Sequence, residues 1–277
     1  MSILYLVATP IGNLEDISTR ALQKLRQVPL IAAEDTRHTA RLLQRYAIHT
    51  PCISYHEHNK LVRLEQVLEA LQAGDVALVS DAGTPALNDP GFELVRAVIA
   101  AGHTVSPIPG ACAPIAALVA SGLPTDAFLY LGYLPRKSGE RQRLLSSISD
   151  LPYTLIFLEA PHRLLSALED LKDQLGDRLV AVGRELTKLH EEIYRGRLSD
   201  ALQHFTQNPP RGEFTLVLAG NTEQPERWSV GKLEAELRRM SATGGSASQM
   251  AAELAGRSGW SRREIYQHLL KNRGKKS

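Results

Sequence analysis

Cysteine is scarce in this chain: 277 residues carry two, Cys52 and Cys112. So few exclude a small disulfide-stapled scaffold, and no Cys-x-x-Cys or His-Glu-x-x-His supplies zinc-site spacing. No apolar run approaches the roughly 20 residues of a membrane span, and Met1-Ser-Ile-Leu-Tyr5 lacks the basic-then-apolar plan of a signal peptide, so a reducing cytoplasm is the expected location. A phosphate-gripping G-x-x-x-x-G-K-[ST] is missing. So are a G-x-G-x-x-G after the first strand and a G-x-S-x-G elbow, which argues against an ordinary dinucleotide site and a serine hydrolase. His56 and His58 in Tyr55-His-Glu-His-Asn59 would share one face of a strand, yet no third ligand accompanies them, and no metal is expected.

What is present suits two medium domains and an appendage, with 43% hydrophobic residues to fill real cores. The net charge of +2 is unevenly spread. From Glu226 onward eleven Lys/Arg face five Asp/Glu, so the tail carries +6 and everything before it −4. The last stretch, Lys271-Asn-Arg-Gly-Lys-Lys-Ser277, reads equally as a frayed, solvated terminus or as a basic contact arm.

From residue 3 to about 122, apolar runs alternate with helical patterns, the signature of a parallel sheet flanked by helices. Strands are expected near Ile3–Ala8, Leu30–Ala33, Cys52–Tyr55, Val76–Ser80 and Thr104–Ile108. Between them Leu22, Leu25 and Val28, then Leu42, Leu43 and Tyr46, then Leu64, Val67, Leu68 and Leu71 recur at helical steps, and Gly74 and Gly102 fall where C-terminal caps belong. Ser121-Gly-Leu-Pro-Thr-Asp126 reads as a hinge. The alternation restarts with Phe128–Tyr133, Tyr153–Leu158, Leu179–Gly183, Glu191–Tyr194 and Phe214–Ala219. The expected division is residues 1–122, 123–220 and, after a polar linker at Gly220–Glu226, 226–277.

The third unit differs from the others. Leu233, Leu237 and Met240 mark one helix face, Met250, Ala251 and Leu254 a second, and Ile265, Leu269 and Leu270 a third. A break at Gly256-Arg-Ser-Gly259 precedes Trp260-Ser-Arg-Arg-Glu-Ile-Tyr266, where Ser261 is placed to cap the last helix and two arginines fill its first turn. The pattern resembles a helix-turn-helix, so Arg257, Arg262 and Arg263 are candidate nucleic-acid contacts; a plain three-helix packing module is the alternative.

Three small-residue loops follow apolar strands: Ala8-Thr-Pro-Ile-Gly-Asn13, Ser80-Asp-Ala-Gly-Thr-Pro85 and Ile108-Pro-Gly-Ala-Cys-Ala113. In an open α/β sheet, ligands sit outside the carboxyl ends of the strands, where such loops let backbone approach them. Together the loops resemble the tetrapyrrole methylase superfamily. With Glu34-Asp-Thr-Arg37, Ser54-Tyr-His-Glu-His-Asn59, Phe157-Leu-Glu-Ala-Pro-His-Arg163 and Gly183-Arg-Glu-Leu-Thr-Lys188, the likeness narrows to the ribosomal small-subunit RNA methyltransferase I family and spans almost the whole chain.

That resemblance implies a two-domain α/β fold with a mostly parallel first sheet, a mixed second sheet and a small helical C-terminal unit. It implies 2′-O-methylation of a cytidine ribose in 16S rRNA, with S-adenosylmethionine as donor, 16S rRNA within the small subunit as partner, no membrane, and a homodimer. Donor contacts carried over fall on Pro10, Ile11, Asp81, Gly83, Thr84, Ala111 and Cys112, and in the second domain on Leu158 and Phe214. The first loop departs from the Gly-x-Gly-Pro-Gly-Asp of tetrapyrrole enzymes, which counts against a porphyrinoid substrate.

Methyl transfer to a hydroxyl is an in-line displacement in which alignment supplies most of the acceleration, helped by a positioned proton acceptor. Lys188, Glu185 and Glu159 are the candidates, standing at the expected ends of second-domain strands. An Arg184–Glu185 ion pair with Lys188 gripping a phosphate is the competing reading. Glu34, Asp35 and Arg37 stand after the second strand, where they can orient the target nucleotide, with a helix N-cap as the competing reading of Asp35 and Thr36. Arg136, Lys137, Arg141 and Arg143 after Tyr133, and Arg163, read as RNA-phosphate contacts or as a solvated helix face, and Arg37 and Arg184 are further candidate RNA contacts. Two rivals remain: a porphyrinoid C-methyltransferase on the same fold, and a DNA-binding regulator whose α/β part senses a ligand.

Overall fold

In the computed structural model, residues 2–89, 91–221, 227–242 and 246–273 are described. The chain forms two compact units, Met1–Asn221 and Thr222–Ser277. The first sheet is built from β1 (Ile3–Val7), α1 (Thr19–Gln27), β2 (Leu30–Ala33), α2 (Thr36–Arg45), β3 (Cys52–Ser54), α3 (Lys60–Ala73), β4 (Val76–Val79), α4 (Gly91–Ala100) and β5 (Thr104–Ile108). Its strands are all parallel, in the order β3-β2-β4-β1-β5. All four residues of β4 are buried, as a strand covered by helices on both faces requires. On one face Leu25 of α1 and Leu42 and Leu43 of α2 join Val7, Ile31 and Val79; on the other, Val67 and Leu71 of α3 and Leu94 and Val98 of α4 join Leu4, Ala32 and Leu78.

A helix, α5 (Ala113–Ser121), leads into the second sheet: β6 (Phe128–Tyr133), α6 (Ser138–Ser147), β7 (Thr154–Glu159), α7 (Leu164–Leu175), β8 (Leu179–Arg184), β9 (Glu192–Arg197), α8 (Leu198–Gln207) and β10 (Phe214–Leu218). The order is β6-β7-β10-β8-β9, with β6 and β7 parallel and the other pairs antiparallel. Helices α6 to α8 cover one face through Leu145, Leu164, Leu168 and Phe205. The other face receives α5, whose Ala117 and Leu118 pack with Ile156, Ala181 and Val217, and Ile11 from the loop after β1 joins them. This apolar layer is why both sheets belong to one compact unit. All ten expected strands are present, their ends moved by three residues at most.

The second unit holds α9 (Val230–Ala242), α10 (Ala247–Ser258) and α11 (Arg262–Arg273) around Leu233, Leu237, Met250, Leu254, Trp260, Ile265 and Leu269. The expected break at Gly256 is corrected: α10 runs through Ser258 and stops at Gly259, whose φ of +65° is the left-handed conformation glycine adopts without cost. Ser261 caps α11 as expected, exchanging hydrogen bonds with Glu264 in a capping box. The linker residues 222–226 and the terminal 274–277 lie outside the described residues, as do the side chains of Leu270 and Lys271. No helix among the described residues is long and apolar enough to cross a membrane.

Candidate functional site

The strand order sets β4, β1 and β5 side by side, so the three small-residue loops expected to share a site leave the sheet as neighbours. A two-bond bridge ties two of them: Thr9 N–H donates to Gly83 O at 2.9 Å and Gly83 N–H to Thr9 O at 3.0 Å. Gly83 holds φ +80°, and Thr84 Oγ1 donates to Ala111 O at 3.2 Å, joining the third loop.

Beside this frame lies a cleft lined by Ile11, Gly83, Thr84, Cys112 and Leu87 from the first half of the unit and by Tyr130, Tyr133, Leu158, Leu186, Glu213, Phe214 and Thr215 from the second. Its free space, counting the open mouth, is about 740 Å³. Six of the nine residues assigned to the donor line it: Ile11, Gly83, Thr84, Cys112, Leu158 and Phe214. Ala111 stands behind Thr84. Pro10 and Asp81 face elsewhere, into a second pocket with Thr9, Leu14, His38, Arg41 and Ser80. There Asp81 accepts from Asp35 N–H at 2.9 Å while its own N–H donates to Glu34 at 3.1 Å.

The Glu34–Arg37 segment is spent locally. Asp35 caps α2 and pairs with Arg37 at 2.7 Å, which pushes its carboxyl well below the usual range. Burial raises Glu34, with Asp81 adding repulsion.

Across the cleft, Glu185 and Thr187 hold φ of 49° and 66°, values that non-glycine residues seldom adopt. The loop is pinned: Thr187 Oγ1 accepts from Asn13 N–H at 3.1 Å, and a Cβ on Gly12 would sit 2.8 Å from Leu186 O, so this contact requires glycine. Lys188 bridges Glu185 at 2.9 Å and Glu213 at 3.1 Å. Burial works against its charge, but the two carboxylates win and raise it, so it stays a cation at neutral pH. Glu185 is lowered in turn: burial opposes this, and Lys188 and the Glu213 N–H outweigh it. The ion pair is therefore Glu185–Lys188, whereas Arg184 pairs with Glu192 at 3.3 Å. Glu159 is 2% exposed and closed in by Arg163 at 3.0 Å and Ala160 N–H at 2.8 Å, with burial raising it.

The basic candidates divide by exposure. Arg136, Lys137, Arg143, Arg257, Arg262 and Arg263 are exposed, Lys137 near Glu140, Arg257 near Glu253 and Arg262 on Ser248. Arg141 is corrected: it is buried and paired with Asp170 of α7, a partner 29 residues away that no local pattern discloses. Arg163 is mostly buried, its Nη2 donating to Leu134 O at 2.6 Å and to Glu159. Among the described residues, no three His, Cys, Asp or Glu side chains are grouped to hold a metal.

Sequence reasoning missed Tyr130, Tyr133, Leu186 and Glu213. The two tyrosines were hidden by a bulge. Tyr130 lies opposite Ile156 and Tyr133 opposite Leu158, so β6 spends three steps where β7 spends two. The extra residue turns both rings to one face.

Comparison with known proteins gives the fold and the family. The family of tetrapyrrole (corrin/porphyrin) methylases matches residues 3–202. Solved structures of uroporphyrin-III C-methyltransferase from Thermus thermophilus (20% identity, TM-score 0.54, 78% of this chain and 94% of that one) and of a cobalt precorrin-4 methyltransferase (17%, 0.57, 79% and 94%) share the fold. Much nearer in sequence are proteins named ribosomal RNA small subunit methyltransferase I. The one from Synechocystis is 53% identical over 98% of both chains, that from Pseudomonas aeruginosa 44% over 98% of both, and that from Escherichia coli O157:H7 44% over 98% of this chain and 96% of its own. Matched from end to end at such identity, on a fold whose loops form this cleft, the chain belongs to the ribosomal RNA small subunit methyltransferase I family.

Proposed function

We propose that the protein transfers a methyl group from S-adenosylmethionine to the 2′-hydroxyl of a cytidine in 16S rRNA. The observation that carries this is the cleft in which six residues assigned to the donor meet from both sheets. Backbone-rich loops around Gly83 and Ala111 suit an adenosine and an amino-acid group, and Ile11, Leu158 and Phe214 supply apolar walls. A molecule closely related to the donor occurs in one relative of this fold, a Thermus thermophilus uroporphyrin-III C-methyltransferase complexed with S-adenosylhomocysteine (19% identity, TM-score 0.55, 79% of this chain and 97% of that one).

With donor bound in the cleft, the chain's own work is alignment of oxygen, methyl and sulfur on one line. Glu213, the carboxylate among the residues lining the cleft, takes the role of proton acceptor for the attacking hydroxyl in this reading, and Lys188 beside it steadies a neighbouring phosphate. Asp81 supports the donor loop indirectly through Glu34 and Asp35. A homodimer and a cytoplasmic location complete the reading.

The porphyrinoid alternative rests on a likeness of 17–20% identity, which speaks for fold alone. The test is to incubate the protein with labelled donor and unmethylated small subunits, digest the RNA and identify the product. 2′-O-Methylcytidine is the expected product; a base-methylated nucleoside, or label entering a tetrapyrrole precursor instead, overturns the proposal.

The exposed Arg257, Arg262 and Arg263 of the helical unit support a role in gripping RNA backbone. Removing residues 226–277 is therefore expected to raise KM for subunits about tenfold while donor Kd stays within twofold. An unchanged KM rejects that role.

A further inference from the structure

Gly132 sits at the centre of the bulge in β6, with φ +65°. A Cβ there would collide with the side-chain amide of Asn88, itself at φ +66° in the loop that follows β4. The bulge is thus fitted against the opposite half of the same unit, and what it accomplishes is to place Tyr133. In an unbroken pleat, residues three apart point to opposite faces, so Tyr133 would turn away from Tyr130 and the cleft.

Tyr133 is 56% exposed and lines two cavities at once. One is the cleft described above. The other, with about 1,210 Å³ of free space counting its mouth, is walled by Tyr133, Leu134, Pro135, Arg136, Ala160, His162 and Arg163. Its ionisable side chains besides the tyrosine are two arginines and a histidine, with no carboxylate among the lining residues. Arg163 is committed to Glu159 and to the Leu134 carbonyl, whereas Arg136 is exposed and makes no hydrogen bond or ion pair among the described residues. A large exposed ring beside an unpaired guanidinium, at the mouth of a small-molecule cleft, is the combination that binds an unstacked nucleotide: the ring takes the base and the guanidinium its phosphate.

We propose that Tyr133 is the stacking platform for the base of the acceptor nucleotide, with Arg136 taking an adjoining phosphodiester, so that the sugar between them faces the donor cleft. This rests on the reading of the acceptor as RNA and adds where a single-stranded nucleotide is held. Burial raises the Tyr133 phenol, with Glu213 and Glu159 adding to it, so the ring stays neutral at physiological pH and does not repel RNA.

The test measures methyl transfer to unmethylated small subunits together with donor Kd by calorimetry, for wild type, Tyr133→Ala, Tyr133→Phe, Tyr133→Trp and Arg136→Ala. Loss of one stacked base predicts KM for subunits about tenfold higher or more in Tyr133→Ala, with donor Kd within twofold, and rescue by Phe and Trp. Arg136→Ala is expected to raise KM and flatten its salt dependence. An unshifted KM in Tyr133→Ala overturns the proposal, as does an equal loss of donor affinity. A Phe variant as damaged as Ala would assign the work to the hydroxyl and overturn stacking. If wild type itself binds donor but transfers no methyl to subunits, the failure lies in the functional reading; normal wild-type transfer with an unaffected Tyr133→Ala isolates the failure here.

Discussion

Gly83→Val is expected to weaken donor binding by about tenfold or more and to lower turnover with it, while the protein remains folded. Gly83 serves two structural purposes at once. Its φ of +80° is a conformation that costs an ordinary L-residue about 1–2 kcal/mol, and more for a β-branched one. In that conformation its N–H and C=O both bond Thr9, which cross-ties the loops after β4 and β1 at the edge of the cleft. Valine forces the backbone out of the left-handed region, and each of the two bonds lost is worth about 1 kcal/mol net. A Cβ at Gly83 would also stand 3.4 Å from Ile11 Cγ2, a residue lining the same cleft. Gly102→Val is the control. Gly102 has φ +82°, a Cβ there would meet nothing within 4 Å, and the residue lies outside the cleft. Both variants carry the backbone strain, so both melt a few degrees lower, but only Gly83→Val should lose affinity in calorimetry with S-adenosylmethionine. Equal donor Kd values in the two variants would remove Gly83 from the site.

The legible parts of the molecule were those written in local pattern. Most strands of the two sheets are runs of apolar or β-branched residues, β9 (Glu192–Arg197) with its charged positions being the exception and the one whose end lies three residues beyond the expected one. The three loops stand out because Gly83, Gly110 and their small neighbours follow such runs directly. Strand order then adds what no window contains, the adjacency of β4, β1 and β5. The misplaced residues share a different cause: their partners lie far along the chain. Arg141 reads as part of a basic surface until Asp170 is brought against it. Asp81 reads as a cleft residue until Glu34 and Asp35 are seen to occupy it. Tyr133 drew no site assignment from the sequence, and its place in the cleft follows from the extra step in the register with β7. Gly132 was the available signal, since glycine inside a strand pattern marks a bulge or a close backbone approach, and here it marks both.

Arg163→Met is expected to lower stability by about 3–5 kcal/mol near neutral pH, the usual cost of stranding a buried charge. For a unit of this size that corresponds to a fall in Tm of about 10 °C. The Glu159 side chain is fully enclosed and Arg163 is 15% exposed, so water screens their attraction little. Arg163 also satisfies the Leu134 carbonyl at 2.6 Å, at the turn that follows the bulge. The loss must depend on pH in a set direction. Burial already raises folded Glu159 above its ordinary 4.5, against the lowering by Ala160 N–H and Arg163; without Arg163 it rises further. A carboxyl raised by folding contributes its stability below the unfolded value and loses it as pH rises through the folded value. The gap in Tm between variant and wild type should therefore be smaller at pH 4.5 than at pH 8, with the residual gap at low pH reporting the lost carbonyl bonds and packing. Adding Glu159→Gln removes the stranded charge while keeping an acceptor for Ala160 N–H, and the double variant should recover much of the loss at pH 8. A gap that is constant with pH, or a double variant no more stable than Arg163→Met, would mean that Arg163 acts through packing and carbonyl bonds alone.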